Sequence, residues 1–352
     1  MIKKTKLIDP LQELQLDGFQ KLNELLNINH HSPTSSSMPL GIYAFRYLFC
    51  TQEQRREFEG NANMAAGVAV NDAVQWHLSN KIWSYNPNIK KLAPRENNKI
   101  SKDEAITKAL EKFSEYVPVN DKDREKKEHY LETIPQTIRQ GFLAFEKIGA
   151  AKATEVVAED SINHVDNRLS LPVVGRADLH FTDFNVSERS DAASSRSHFS
   201  DAPFLSVCEL KTVWQRPGKV KKDGTRSFAS AKLPSTPLVN HLQQLAFYCF
   251  SLRKLNKKIN PYLIYLSADD HIVFTEKNCA DLEIQNLNNY YEQLIDNCIR
   301  KERLLARYID LEEPDMILDE IAKDVEPNFD HQFYWNIGSK HLARAKKIWS
   351  RS

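Results

Sequence analysis

Residues 171–182 read LPVVGRADLHFT and residues 203–214 read PFLSVCELKTVW. Both stretches are rich in apolar and β-branched residues, which predicts strands, and both carry charged residues inside the apolar run. Because side chains alternate along a strand, Glu209 and Lys211 share one face of theirs. If the two strands pair as a hairpin, Asp178 lies beside Glu209. The sequence therefore predicts two carboxylates and a lysine together on one face of a sheet.

This predicted cluster suits a particular chemistry. Two close carboxylates repel each other, and a bound divalent cation with oxygen ligands, Mg²⁺ or Mn²⁺, is the usual remedy. A lysine beside such an ion favours phosphodiester hydrolysis, because the metal lowers the pKa of its water and the cations stabilise charge on phosphate oxygens. The alternative is that Asp178, Glu209 and Lys211 are ordinary surface residues. The apolar surroundings of both acids disfavour it, since a buried unpaired charge is costly.

The rest of the chain predicts helices around this sheet. Apolar residues recur at three- and four-residue spacing in segments 8–27, 40–50, 62–80, 101–116, 123–148, 237–257, 280–308 and 339–350. Three further apolar runs predict strands at 154–159, 262–267 and 271–275. The Ser- and Asp-rich stretch 183–202 predicts a loop. A helical beginning, a central sheet with a helix between strands and a helical end predict an α/β or α+β architecture.

Composition excludes several classes of protein. The chain has 352 residues, of which 41% are hydrophobic and 27% charged, as in soluble globular proteins. Only 10 glycines are present, and neither GxxxxGK[ST] nor GxGxxG occurs, which argues against P-loop and Rossmann enzymes. The 5 cysteines form no CxxC pair, so a disulfide framework or zinc ribbon is not indicated. No apolar run is long enough for a membrane span, and we expect a cytoplasmic protein.

Charge is unevenly distributed although the net charge is only +1. The segments 215–236 and 338–352 each sum to +5, and the segment 310–330 sums to −8. Such runs are commonly solvated faces, but two basic segments on a near-neutral chain also suit contacts with phosphates. In the first basic segment the candidate phosphate contacts are Lys219, Lys221, Lys222 and Arg226.

The motifs and their order resemble the PD-(D/E)XK nucleases, and within them the RecB-like branch. GRAD, ending at Asp178, is similar to the metal-binding aspartate motif, and the sequence ELK at 209–211 is similar to the ExK motif. HLQQLAFYC at 241–249 resembles the QxxxY helix. Upstream, the Ser-rich stretch 32–50 resembles the N-terminal entry of the family, and AAGVAVNDAVQWHL at 65–78 resembles its first-motif helix. The resemblance spans roughly residues 32–266.

The resemblance implies a fold and a set of site residues. The fold is a restriction-endonuclease-like core, a mixed central sheet flanked by helices, with helical N- and C-terminal regions. Mg²⁺ or Mn²⁺ would be held by Asp178, Glu209 and the backbone carbonyl of Leu210, with Lys211 near the attacking water. The candidate DNA contacts on the QxxxY helix are His241, Gln244 and Tyr248.

The motifs also divide the chain into three regions. Residues 1–150 form a helical region with the first-motif helix, residues 151–276 form the nuclease core, and residues 277–352 form a helical end with the acidic segment and the basic terminus.

Two departures from the family pattern are visible. Four residues after Gly67 the family usually has His or Glu, but this chain has Asn71, so either Asn71 or the neighbouring Asp72 is the candidate metal ligand, with His77 as a further alternative. Some relatives hold an iron–sulfur cluster with closely spaced C-terminal cysteines. Cys279 and Cys298 lack that spacing, and we expect no cluster.

Together these features predict a divalent-metal-dependent DNA nuclease without a motor of its own. The favoured version is a stand-alone exonuclease of recombination, repair or phage DNA metabolism. Such an enzyme would act on DNA ends or single strands, either alone or with a helicase or single-strand annealing protein, and could form oligomers. The alternatives are a non-catalytic nucleic-acid-binding protein of the same fold and an endonuclease that prefers a DNA structure.

Overall fold

The structure is a computed structural model, and its described residues form two compact units. The described residues are 20–21, 23–51, 53–55, 62–86, 90–183, 204–220, 226–253, 258–331, 334–335 and 337–350. Unit 1 contains Met1–Glu59, Asn163–Val174 and Glu292–Ser352, and unit 2 contains Gly60–Ile162 and Gly175–Tyr291. Each unit is thus assembled from separate stretches of sequence, whereas the motifs divide the chain into consecutive regions.

Helices and strands follow one another in groups along the chain. In chain order the helices are α1 (Pro33–Ser36), α2 (Leu40–Tyr43), α3 (Ala62–Leu78), α4 (Lys102–Ser114), α5 (Asp121–Lys147), α6 (Val239–Leu252), α7 (Ile284–Ala306), α8 (Pro314–Asp324) and α9 (Ser339–Trp349). The strands are β1 (Lys81–Asn86), β2 (Lys91–Glu96), β3 (Glu155–His164), β4 (Val173–Asp183), β5 (Phe204–Thr212), β6 (Arg216–Val220), β7 (Arg226–Ala229), β8 (Lys258–Leu266) and β9 (His271–Phe274). A π-helical turn, Ala44–Leu48, follows α2.

Seven strands form one mixed sheet in the order β2-β1-β3-β4-β5-β8-β9, and β6 and β7 form a separate hairpin. The pairs β1–β3 and β5–β8 are parallel, while β1–β2, β4–β5 and β8–β9 are antiparallel. Parallel neighbours require a crossover connection, and the chain supplies one between β1 and β3 that includes α4 and α5. A second crossover, between β5 and β8, includes the β6–β7 hairpin and α6.

The core of unit 2 lies where α3, α4 and α5 pack with the sheet. Its buried members from β5 are Cys208 and Leu210, which places the side chains of the alternate residues on the opposite face. Two of the helices begin with polar caps: the side chain of Ser101 accepts a hydrogen bond from the backbone of Glu104 at the start of α4, and Asn120 does the same for Asp123 at the start of α5.

Unit 1 has its own core around α2, α7, α8 and α9. Its most unusual member is Lys301, whose buried ammonium donates hydrogen bonds to the backbone carbonyls of Ser35 and Ser36 at 2.6 and 2.7 Å. A lysine at the end of a short helix satisfies carbonyls that have no partner within the helix. Burial lowers the pKa of Lys301 to about 7.

The structure confirms the predicted fold class in its general form, a mixed α/β arrangement with a seven-stranded mixed sheet flanked by helices. The helices and strands predicted after residue 28 are present with shifted ends. Most of the predicted helix at 8–27 and all but the first residue of the predicted loop at 183–202 lie outside the described residues.

The predictions missed two hairpins and two helices among the described residues, one of them the short helix α1. The hairpin β1–β2 escaped prediction because its outer strand carries Pro94 and several charges, features that suit a sheet edge and weaken a strand pattern. Helix α8 lies within the acidic segment, where charge hid the apolar positions Ile317 and Ile321. The hairpin β6–β7 lies within the basic segment. Among the described helices, none is long and apolar enough to cross a membrane.

Candidate active site

Asp178 and Glu209 lie close together on adjacent strands. Strands β4 and β5 are antiparallel with Leu179 paired to Cys208, and Asp178 and Glu209 are the residues next to that pair. The backbone N–H of Leu210 donates to Oδ2 of Asp178 at 2.8 Å. The carboxylate of Asp178 therefore accepts a hydrogen bond from the backbone of β5, and this bond fixes its position at the centre of the sheet.

Glu209 and Lys211 share the face of β5 that the alternation of side chains predicts. The ammonium of Lys211 forms an ion pair with Oε1 of Glu209. Glu209 is only 2% exposed, and its Oε2 has no hydrogen-bond partner among the described residues. Burial, followed by repulsion from Asp178, raises the pKa of Glu209 to about 8. A buried carboxylate oxygen without a donor is costly, and it marks a position where a cation would be stabilised.

Burial also affects the pKa values of Asp178 and Lys211. Burial raises the pKa of Asp178, although the nearby charge of Lys211 and the Leu210 N–H oppose the shift. Burial alone would lower the pKa of Lys211, but the carboxylates of Glu209 and Asp178 outweigh it and raise the pKa. Lys211 is therefore a fixed positive charge at neutral pH.

Helix α3 adds two amide side chains to this group. The amide nitrogen of Asn71 lies 3.2 Å from Oδ1 of Asp178 and 3.5 Å from Oε1 of Glu159. One turn later, Nε2 of Gln75 donates to Oε1 of Glu159 at 2.8 Å and to the backbone oxygen of Asp178 at 3.2 Å. The helix thus contacts both acids through nitrogen atoms, and Oδ1 of Asn71 has no partner among the described residues.

The three candidate metal ligands of the first motif, Asn71, Asp72 and His77, have different surroundings in the structure. Asp72 forms an ion pair with Lys112 of α4, and Nδ1 of His77 lies 2.8 Å from the backbone oxygen of Ile100. Only Asn71 of these three contacts Asp178. Gly67 allows this approach, because a Cβ atom there would lie 3.0 Å from Oγ1 of Thr212 at the end of β5. A side chain at position 67 would therefore require the side chain of Thr212 to shift slightly.

Helix α6 positions the site from the other side. Tyr248 is buried, and its hydroxyl group hydrogen-bonds the backbone of Arg176 on β4. Burial, followed by the carboxylate of Glu209, raises the pKa of Tyr248 well above its usual value. This buried tyrosine is therefore not available to stack on a DNA strand, while Gln244 is half-buried.

His241 lies close to the lysine of the site. Its Nδ1 is 2.8 Å from the hydroxyl of Tyr265, the residue paired with Lys211 across β5 and β8. Burial and the positive charge of Lys211 lower the pKa of His241 to about 3. His241 is therefore neutral at physiological pH and offers a hydrogen bond but no positive charge to a phosphate.

The candidate phosphate contacts of the basic segment differ in accessibility. Lys219 is exposed on β6. Nε of Arg226 lies 2.6 Å from Oε2 of Glu125 on α5, and its Nη1 donates to the backbone oxygen of Gly218 at 3.0 Å. Arg226 thus anchors the hairpin. Lys221 and Lys222 lie outside the described residues.

The ligand atoms present at the site suit a hard divalent cation. Asp178, Glu209, Glu159 and the backbone carbonyl of Leu210 offer only oxygen atoms, and Oε2 of Glu209 lacks a partner within the described residues. As placed, however, no group of three or more His, Cys, Asp or Glu side chains in the described part of the chain is arranged to hold a metal ion. Lys211 occupies one oxygen of Glu209, and the nitrogen of Asn71 lies between Glu159 and Asp178.

Sequence reasoning missed Glu159 and Gln75. A signal for Glu159 existed, because it is an acid inside the apolar strand that begins EVVAED. Gln75 lies four residues after Asn71, on the same face of α3.

Comparisons of the chain with protein-family models, with curated proteins and with solved structures each find no match.

Proposed function

We propose that this protein is a divalent-metal-dependent DNA nuclease with a restriction-endonuclease-like core, of the PD-(D/E)XK type and its RecB-like branch. One observation carries the proposal: Asp178 and Glu209 are the residues next to the Leu179–Cys208 pair of β4 and β5, with Lys211 paired to Glu209 on the same face. A metal-dependent phosphodiester hydrolase can use such acids to hold the metal and such a lysine to stabilise phosphate charge.

The metal of this proposal is Mg²⁺ or Mn²⁺. It would be held by Asp178, Glu209 and the backbone carbonyl of Leu210, and when bound it would supply an activated water and a positive charge for the phosphate. The unpartnered oxygen of Glu209, judged within the described residues, supports this assignment. Asn71 supplies an amide in place of the acid or histidine usual in the family, and its nitrogen holds Oδ1 of Asp178.

The remaining roles belong to the protein alone. Lys211 stabilises negative charge that develops on the phosphate, because it is a permanent cation in a half-buried position. Tyr248 positions β4 through the backbone of Arg176, rather than contacting DNA. The exposed Lys219 is the candidate contact to the DNA backbone in the described part of the basic segment. His241 is a neutral hydrogen-bonding group on the α6 side of the site, and the half-buried Gln244 on the same helix would be a second one.

The absence of a P-loop sequence favours a nuclease without its own motor. We therefore favour a stand-alone exonuclease of recombination, repair or phage DNA metabolism, acting on DNA ends or single strands. A helicase or a single-strand annealing protein would be a suitable partner, because either one generates or uses the strands that an exonuclease exposes.

Incubation of end-labelled linear DNA and covalently closed circular DNA with Mg²⁺, Mn²⁺ or EDTA tests the proposal. We expect linear DNA to be degraded with either metal and to survive in EDTA, while closed circles stay intact. Cleavage of the circles would replace the exonuclease by an endonuclease. DNA binding without metal-dependent cleavage of either substrate would favour the non-catalytic binding protein, for which the missing first-motif acid at Asn71 is the observation in favour.

A further inference from the structure

Glu159 has an unusual backbone for a residue inside a strand. Its φ angle is 53°, in the left-handed region, although it lies within β3 and is not glycine. Such a conformation is strained for a residue with a side chain and persists only where the surroundings impose it. The burial pattern of β3 also departs from simple alternation here, with Val156, Val157 and Ala158 all buried before it. The irregularity turns the side chain of Glu159 toward α3.

The side chain of Glu159 is held next to the proposed catalytic group. Its Oε1 accepts a hydrogen bond from Gln75 at 2.8 Å and lies 3.5 Å from the nitrogen of Asn71. The same nitrogen lies 3.2 Å from Oδ1 of Asp178. The amide of Asn71 therefore lies close to both carboxylates, which makes Glu159 and Asp178 neighbours. Glu159 is not part of any of the family-like motifs.

Charge supports a role beyond packing. Three acidic side chains, those of Glu159, Asp178 and Glu209, share a largely buried place with the ammonium of Lys211, so their full ionisation would leave two negative charges without a counterion among the described residues. Arg176 is more distant, with Nη1 3.9 Å from Oε2 of Glu159, and is mostly exposed. A divalent cation would balance this charge.

A second observation points to a ligand at the same place. Glu209 is only 2% exposed, yet its Oε2 has no hydrogen-bond partner among the described residues. A carboxylate oxygen so buried normally has a donor or a cation. The acidic group is thus not merely a solvated patch.

We infer that Glu159 is the third acidic residue of the cation site, and that it supplies from β3 the charge that Asn71 does not supply from α3. The inference rests on the proposed nuclease function and goes beyond it, because none of the family-like motifs contains Glu159. Binding of the cation would replace hydrogen bonds that Asn71 and Lys211 now make to the carboxylates. Gln75 would keep Glu159 oriented.

The competing explanation is purely structural, with Glu159 serving only as a hydrogen-bond acceptor for Gln75. Glu159→Gln separates the two roles, because the amide keeps an oxygen for Gln75 and removes the negative charge. Asp160→Asn is the matched control: it removes a charge from the next residue of the same strand, but Asp160 pairs with His180 at 2.9 Å, whereas Glu159 contacts Asn71 and Gln75. Asp178→Asn serves as the positive control.

The test measures Mn²⁺ binding to the DNA-free protein, with the free ion detected by electron paramagnetic resonance. Urea unfolding verifies that each variant is folded. We expect Glu159→Gln and Asp178→Asn each to weaken Mn²⁺ binding by at least about 10-fold, the effect of losing a group that holds or supports a metal ligand, and Asp160→Asn to bind like wild type. If Glu159→Gln does not fold, Glu159→Asp is measured instead; its shortened carboxylate is expected to weaken binding several-fold.

The outcomes separate this inference from the proposed function. Wild-type affinity in the Glu159 variant, together with a loss in Asp178→Asn, would overturn the role of Glu159 and leave the nuclease site intact. Equal weakening by Asp160→Asn would also overturn it, because the effect would then be one of general charge. Binding that is unaffected by Asp178→Asn would instead contradict the proposed metal site itself.

Discussion

The amide nitrogen of Asn71 lies 3.2 Å from Oδ1 of Asp178, so helix α3 contacts the central acid of the sheet through a neutral donor. The adjacent residue, Asp72, is turned away and paired with Lys112. Neighbouring residues on a helix point about 100° apart, which is why only one of the two reaches the site. This contact makes Asn71 the residue through which α3 affects the proposed metal site.

We expect Asn71→Ala to reduce DNA cleavage by about 10- to 100-fold, the effect typical of losing a group that supports a metal ligand. Asp72→Ala loses a partly exposed ion pair, worth about 1 kcal/mol or less, and should cleave DNA within a few-fold of wild type. Asn71→His introduces a residue type typical of the family and should lower the Mn²⁺ concentration required. Cleavage rates measured across a metal titration decide the matter, and a severe defect in Asp72→Ala with a mild one in Asn71→Ala would reverse the assignment.

Tyr248 is expected to stabilise the fold rather than bind DNA. Tyr248→Phe removes the hydroxyl that hydrogen-bonds the backbone of Arg176, and we expect the free energy of unfolding to fall by about 1–3 kcal/mol. The affinity for DNA should stay unchanged, because the side chain is buried. Urea unfolding and fluorescence anisotropy measure the two quantities. Weaker DNA binding with unchanged stability would show that this tyrosine contacts the substrate.

The sequence predicted the part of the site that depends on local pattern. Alternation along β5 placed Glu209 and Lys211 together, and a hairpin between β4 and β5 placed Asp178 beside them. These relations follow from the geometry of strands and need no knowledge of the rest of the chain.

Contacts between distant segments could not be predicted in this way. Glu159 reaches Gln75 across 84 positions of sequence, and it does so from a backbone conformation that no propensity predicts for glutamate in a strand. The burial of Tyr248 likewise depends on how α6 packs on β5 and β8, since the QxxxY spacing defines a helix face but not what covers it. The pairing of Arg226 with Glu125 joins a hairpin and a helix 101 positions apart.

The pKa of His241 predicts a pH dependence of stability. Its value of about 3 lies below the ordinary 6.5, so between these limits the unfolded chain binds a proton that the native protein does not. The free energy of unfolding should therefore fall through this residue as the pH decreases from 6.5 towards 3. His241→Gln lacks this contribution and should gain stability relative to wild type on going from pH 7.5 to pH 4.5, as followed by urea unfolding. A difference between the two proteins that does not vary with pH would contradict the neutral state of His241.

Lys219 and Arg226 should differ in their effects on DNA binding. Lys219→Ala removes an exposed cation, and we expect the slope of log affinity against log salt to decrease by about 0.7–0.9, the loss of one phosphate contact. Arg226→Ala breaks the ion pair with Glu125 and should lower stability while leaving the slope unchanged. Anisotropy titrations over a range of salt concentrations compare them. An unchanged slope for Lys219→Ala would mean that this part of the basic segment is only solvated.

The most direct test of the proposed site is the single-turnover rate at which linear DNA is cleaved in Mg²⁺ by wild type, Asp178→Asn and Asp160→Asn. Asparagine at position 178 keeps an oxygen for the Leu210 N–H, so the strand contact survives while the charge is lost. The account predicts a rate at least about 10²-fold lower for Asp178→Asn, as expected for loss of a preorganised electrostatic group, and a rate within a few-fold of wild type for Asp160→Asn. Cleavage by folded Asp178→Asn at the wild-type rate, or no cleavage by wild type in Mg²⁺, would contradict it.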